Sequence, residues 1–96
     1  MRTLITFDIT DDRKRYRVVK ILMEYSQRVQ KSVFESPSLS KNCFLRMRSH
    51  IERLIDPKTD SVRYYRLCNA CEKRIRHYGA GPGTLDPPES VEVIGD

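Results

Sequence analysis

Residues 3–17, TLITFDITDDRKRYR, decide how the rest of the chain is read. Ile5, Phe7 and Ile9 alternate with Leu4, Thr6 and Asp8, the period-two pattern of a strand with one buried face. A carboxylate, Asp8, ends the face opposite the most apolar residues. Thr10 or Asp11 then stands where a helix N-cap belongs. Asp11 and Asp12 fall in the first turn, where carboxylates suit the helix dipole. From there to about Ser26 the apolar residues Val18, Val19, Leu22 and Tyr25 recur at helical spacing. Arg13, Arg17, Lys20 and Glu24 take the opposite side.

Outward from this strand and helix, RVQKSVFES (28–36) reads as extended chain, kinked or split near Ser32 and stopped by Pro37. Ser38 or Ser40 caps a second helix running to about Ile55, with Phe44, Met47, Ile51, Leu54 and Ile55 on its apolar side. DPKTD (56–60) is a turn and SVRYYRL (61–67) a strand. A turn spanning Cys68 to Cys71 then leads to an expected strand, KRIRHYG (73–79). AGPGTLDPPES (80–90) reads as a linker and VEVIG (91–95) as one last short strand. Strands interleaved with amphipathic helices give an α/β (α+β) domain, most naturally a ferredoxin-like βαββαβ sandwich with an extra C-terminal strand. Both helices then cover one sheet face. The face of Leu4, Thr6 and Asp8 is left bare, which invites a second copy of the chain.

At 96 residues the chain is one small domain, whose limited core such a dimer would extend. The division expected is a folded unit over 1–79, with 80–96 as linker and exchanged strand. The first 79 residues hold all 18 Lys and Arg against nine acids, a surplus of nine, while 80–96 hold four acids and no base. Twelve of the 18 bases are Arg, whose planar fork suits phosphate. The balance points to a polyanion, DNA or RNA, against the alternative of a merely solvated basic face. No apolar run approaches membrane-spanning length and no signal peptide is visible, so the expectation is a cytoplasmic protein with no membrane partner.

Three sites could carry chemistry. Asp8 is the first. A two-fold axis near the end of its strand would bring two copies together, and two like charges in a partly buried gap need a proton or a cation between them. Mg²⁺ or Mn²⁺ suits so sparse a set of oxygen ligands and would activate water for phosphodiester hydrolysis. The alternative is a strand-end acid paired with a nearby Arg. Arg15, which begins the stripe of Val19 and Leu22, is the second: a phosphate clamp beside Asp8, or a side chain paired to Asp8 or Asp12. Third, Cys68-x-x-Cys71 is half a zinc set at most. A redox pair would have to stand at a helix N-terminus after a strand, within a thioredoxin-like order that is not present. With Cys43 the thiols read as inert, and Tyr64 and Tyr65 as packing residues.

In their order, LITFDITDDRKRYRVV, RVQKSVFES, LIDPKTDSVRYYRLC and VEVIG resemble the blocks of the CRISPR-associated protein two (Cas-two) family over essentially residues 1–95. The resemblance implies a ferredoxin-like homodimer packed sheet to sheet, with residues 91–95 pairing with the partner's sheet. It implies a Mg²⁺- or Mn²⁺-dependent endonuclease acting on RNA or DNA in spacer acquisition, with Asp8 as catalytic and metal residue. Arg15, Arg17, Arg28 and Phe34 are then its nucleic-acid contacts, and a CRISPR integrase subunit its partner. Two alternatives stay open: a non-catalytic DNA-binding scaffold dimer of the integration complex, and a toxin-like endoribonuclease of related fold.

Overall fold

The structure, a computed structural model, describes residues 1–79. The expected linker and C-terminal strand, residues 80–96, lie outside them. Seven elements follow one another: β1 (Arg2–Asp8), α1 (Asp12–Tyr25), β2 (Gln27–Gln30), β3 (Val33–Ser36), α2 (Lys41–Leu54), β4 (Ser61–Leu67) and the short α3 (Asn69–Glu72). The four strands form one antiparallel sheet in the order β2-β3-β1-β4, the ferredoxin-like arrangement expected from the sequence.

Local chemistry sets the boundaries. Asp11 is the N-cap of α1, its carboxylate accepting from the Lys14 N–H at 2.8 Å. At the other end the Ser26 hydroxyl donates to the Leu22 carbonyl at 2.6 Å. Ser40, not Ser38, caps α2 and accepts from the Cys43 N–H at 3.1 Å. The extended stretch does split: β2 and β3 form a hairpin turning at Lys31 and Ser32, and the register slips between Arg28 and Gln30, a bulge that bends the edge strand.

One core holds the layers together. Ile5, Phe7 and Ile9 from the β1 region join Phe34 of β3, Val18, Val19 and Leu22 of α1, and Met47 and Ile51 of α2. Both helices therefore lie on the Ile5 side of the sheet. Burial alternates along β1 as the sequence required, with Ile5 and Phe7 buried, Leu4 and Thr6 half-buried, and Asp8 exposed.

The expected strand over 73–79 does not form. Cys68 caps α3 instead, and hydrogen bonds from Arg74 N to Cys71 O (3.0 Å) and Ile75 N to Glu72 O (3.2 Å) keep the backbone in tight turns. Local i to i−3 bonding satisfies these groups, so β4 gains no strand partner from this segment. α3 folds over the helix-free side of the sheet, where Glu72 accepts from Arg2 Nε at 3.0 Å.

Candidate active site

Asp8 is the last residue of β1, and its position on the sheet follows from register. It stands opposite Ser61 on β4, and Thr6 stands opposite Arg63. Side chains two apart on a strand share a face. Asp8, Ser61, Thr6 and Arg63 therefore occupy one corner of the face without α1 and α2, and Asp8, Ser61 and Arg63 are exposed. Among the described residues, no ion pair or hydrogen bond engages the Asp8 carboxylate or the Arg63 guanidinium. Cross-strand diagonal neighbours such as Asp8 and Arg63 lie roughly 7–8 Å apart at Cα, within mutual influence but not in contact. Sequence reasoning missed Ser61 and Arg63. The alternation of SVRYYRL could have paired them with the Asp8 face once the strand order was known.

The opposite end of that face is closed. Arg2 is buried there, ion-paired to Glu35 at 3.3 Å and to Glu72 of α3 at 3.0 Å. Among the described residues, the open corner is thus the Asp8 end.

Arg15 stands at the β1–α1 junction, as its place in the stripe predicts. Its guanidinium donates to the carbonyls of Ile9 at 3.0 Å and Thr10 at 3.3 Å, and pairs with Asp12 rather than Asp8. It ties the loop after Asp8 to the first turn of α1. That loop is also braced from the other side. Lys14 Nζ meets Asp60 Oδ2 at 2.9 Å, and Asp60, whose side chain is 1% exposed, also accepts the Asp56 N–H at 2.8 Å. The Asp56 N–H, then Lys14, hold the Asp60 carboxyl below its usual range, and the Asp60 hydrogen bond raises the Lys14 ammonium. This clamp fixes the turn that delivers Ser61 to Asp8. Nothing in the spacing of Lys14 and Asp60, 46 residues apart, announces it.

Arg17 is exposed on the outer side of α1 with Arg13 and Lys20. Arg28 and Phe34 form a cross-strand pair on the helix side of the sheet, not on the Asp8 side. Arg28 is exposed and held by two hydrogen bonds to the Lys31 carbonyl, at 3.2 and 2.7 Å, with its guanidinium 5.4 Å from the Phe34 ring centroid. Phe34 itself is 0% exposed and stacks on Phe7 with centroids 6.2 Å apart. Its ring supports Arg28 from below and offers no face to a base. Tyr64 packs edge-on against Phe44 at 5.5 Å, and burial pushes its hydroxyl up to about 12. Tyr65 is exposed on the Asp8 face.

The donor set tests whether a divalent cation belongs here. One carboxylate beside a serine hydroxyl is hard-oxygen chemistry, which suits Mg²⁺ or Mn²⁺. Among the described residues no group of three His, Cys, Asp or Glu side chains gathers at Asp8 or elsewhere. One copy alone therefore offers such an ion one carboxylate and one hydroxyl, too few ligands to hold it.

The family model for "CRISPR associated protein Cas2" matches residues 1–75. A "CRISPR-associated endoribonuclease Cas2 3" from Chloroflexus aurantiacus is 42% identical over 87 residues, 91% of this chain and 92% of that protein. Among solved structures, Streptococcus pyogenes Cas2 superposes with a TM-score of 0.69 at 33% identity, over 82% of this chain and 100% of that one. A chain of a "Partial Cas6-RT-Cas1--Cas2 complex" does so with a TM-score of 0.66 at 26% identity, over 79% of this chain and 88% of that one.

Proposed function

This chain belongs to the CRISPR-associated Cas2 family, and on that premise we propose that it is a metal-dependent endonuclease of RNA or DNA, active as a homodimer and serving spacer acquisition. The observation that carries this reading is the exposed Asp8 at the corner of the sheet, with Arg63 on the same face and unpaired among the described residues. Two chains meeting through this face around a two-fold axis would set two Asp8 carboxylates together. A hard divalent cation held by both would neutralise their repulsion and supply water activation at a phosphodiester. Asp8 binds, Arg63 attracts and orients the scissile phosphate, and Arg15 with the Lys14–Asp60 clamp keeps both strand ends in place.

The test is Asp8→Asn. Metal-dependent cleavage should fall to background while nucleic-acid binding and the unfolding midpoint hold. Undiminished cleavage by the variant, purified free of other nucleases, would refute the catalytic role.

A second reading has its own support. Arg13, Arg17 and Lys20 give α1 an exposed basic side that bears no relation to Asp8, and one structural neighbour comes from a complex that includes Cas1. In this reading the dimer holds a DNA duplex by its phosphates beside an integrase subunit of the Cas1 kind. It leaves binding and integration intact in the Asp8→Asn protein, so integration assays with that variant separate the two roles.

A further inference from the structure

Cys68 and Cys71 are used by neither reading, and their setting differs from the inert pair that spacing suggested. β4 ends at Leu67, and Cys68 is the next residue, the cap of α3. The Cys71 N–H donates to Cys68 Sγ at 3.4 Å, so that sulfur lies over the turn that carries the Cys71 side chain. Two bonds separate a backbone nitrogen from its own Cβ, which brings the two thiols within disulfide reach. Both residues are exposed, whereas Cys43 is half-buried. Cys68 thus follows a strand directly, at the cap of a four-residue helix, and shares a C-x-x-C spacing with Cys71. Hydrogen bonds centred on Cys71 lower the Cys68 thiol, and the neighbouring Cys68 raises that of Cys71, an ordering that separates an attacking from a resolving sulfur. No third ligand gathers with them among the described residues to make a metal centre.

We propose that Cys68 and Cys71 form a reversible dithiol–disulfide site, with Cys68 as the attacking thiolate and Cys71 as the resolving thiol. The oxidant is a small-molecule disulfide such as oxidised glutathione. The Cys68 thiolate attacks one of its sulfurs, forming a mixed disulfide and expelling one thiolate. Cys71 passes its proton to that thiolate and attacks the Cys68 sulfur, expelling the second. The protein dithiol loses two electrons and the small disulfide becomes two thiols. So short a ring constrains the unfolded chain little, so the bridge acts locally rather than as a staple for the fold. It fixes the turn holding Glu72, the residue next to Cys71 and the partner of Arg2 on the open sheet face.

The full chain would be equilibrated with glutathione buffers of rising oxidised fraction, quenched in acid and alkylated with iodoacetamide. Trypsin, cutting after Arg66 and Lys73, releases both thiols in one peptide, and Cys43 in another. The expected result is that the 67–73 peptide loses two hydrogens and its alkylation sites together, while Cys43 stays alkylatable. The Cys71→Ser variant should accumulate a glutathione adduct on Cys68, and Cys68→Ser several-fold less on Cys71. Separate adducts on both sulfurs of the unmodified chain, bridges between chains, or equal adducts in the two variants would overturn the assignment.

Discussion

Replacing Phe34 separates two roles that a residue beside a basic patch can play. The ring is wholly buried, stands opposite Ile5 of β1, stacks on Phe7 and lies under Arg28. Phe34→Ala removes most of a fully buried aromatic and should cost about 3–5 kcal/mol. A domain of this size has a total of about 5–15 kcal/mol, so that variant approaches unfolding and tests little. Phe34→Leu is the informative change. It keeps an apolar side chain in the same space, leaves a smaller void, and gives up a cation–π contact worth about 0.5–1 kcal/mol. The sum is about 1–2 kcal/mol. With a urea dependence of about 1–3 kcal/mol per molar for a small protein, the midpoint should fall by about 1 M. Arg28 keeps its two hydrogen bonds to the Lys31 carbonyl. Nucleic-acid affinity, measured at matched protein concentration well below the new midpoint, should therefore stay within about twofold, under 0.5 kcal/mol. A Phe34→Leu protein with an unshifted midpoint and tenfold weaker binding would show the ring touching nucleic acid, and would refute the burial argument.

Arg17→Ala should weaken duplex binding and lower the slope of log affinity against log salt by about one, the signature of one lost phosphate contact; an unaltered slope would remove Arg17 from the interface. The Lys14–Asp60 clamp predicts a pH dependence with a defined sign. Asp60 titrates below its ordinary value in the folded state, so its contribution is complete above that ordinary value and is lost as acid passes through the lowered one. Lys14 is raised, so its contribution is complete below the ordinary ammonium value and is lost as pH rises through the raised one. Asp60→Asn should flatten the acid limb of urea midpoint against pH, and an unchanged limb would assign that dependence elsewhere. Deleting residues 80–96 should weaken the homodimer in sedimentation equilibrium, whereas a truncated dimer of equal strength would refute the exchanged arm.

How much of this was legible in sequence depended on the range of the interactions involved. The alternation in LITFDI and the stripe of Val18, Val19 and Leu22 are local patterns, and they correctly place β1, α1 and the face away from α1 and α2, although α3 covers that face at its Arg2 end. The caps Asp11 and Ser40 are equally local. The 73–79 segment misled because KRIRHYG, with only Ile75 and Tyr78 apolar, is too short to fix its type by periodicity. Its fate was set by the competing turn that Cys68 starts, a choice periodicity does not register. Phe34 carried the right type and the wrong exposure. Only its register opposite Ile5 places the ring in the core. Arg15 was located, and Asp12 was one of the two partners offered for it, but its guanidinium also reaches carbonyls that no sequence pattern marks. Ser61, Arg63 and Asp60 became visible only when β4 was aligned on β1.

The two ends of the helix-free face differ in a way that bears on how a second copy meets it. At the Arg2 end the chain satisfies itself: a buried guanidinium is ion-paired to Glu35 and Glu72, with α3 laid across. Opening that end would leave charges desolvated without these partners, which is costly. At the Asp8 end the polar groups stand in solvent, and the adjacent Leu4 and Thr6 are only half-buried. A partner that docks on this face without disturbing Arg2 therefore comes down towards Asp8, Arg63 and Tyr65. Closing that corner brings carboxylates and guanidinia of two chains into a shrinking volume of water. In the proposed dimer Asp8 would need a cation there more than in one chain alone, and Arg63, without a side-chain partner among the described residues, would be placed to hold an anion. In the proposed dimer the same asymmetry would give the pair a reason to bind a metal and a phosphate together.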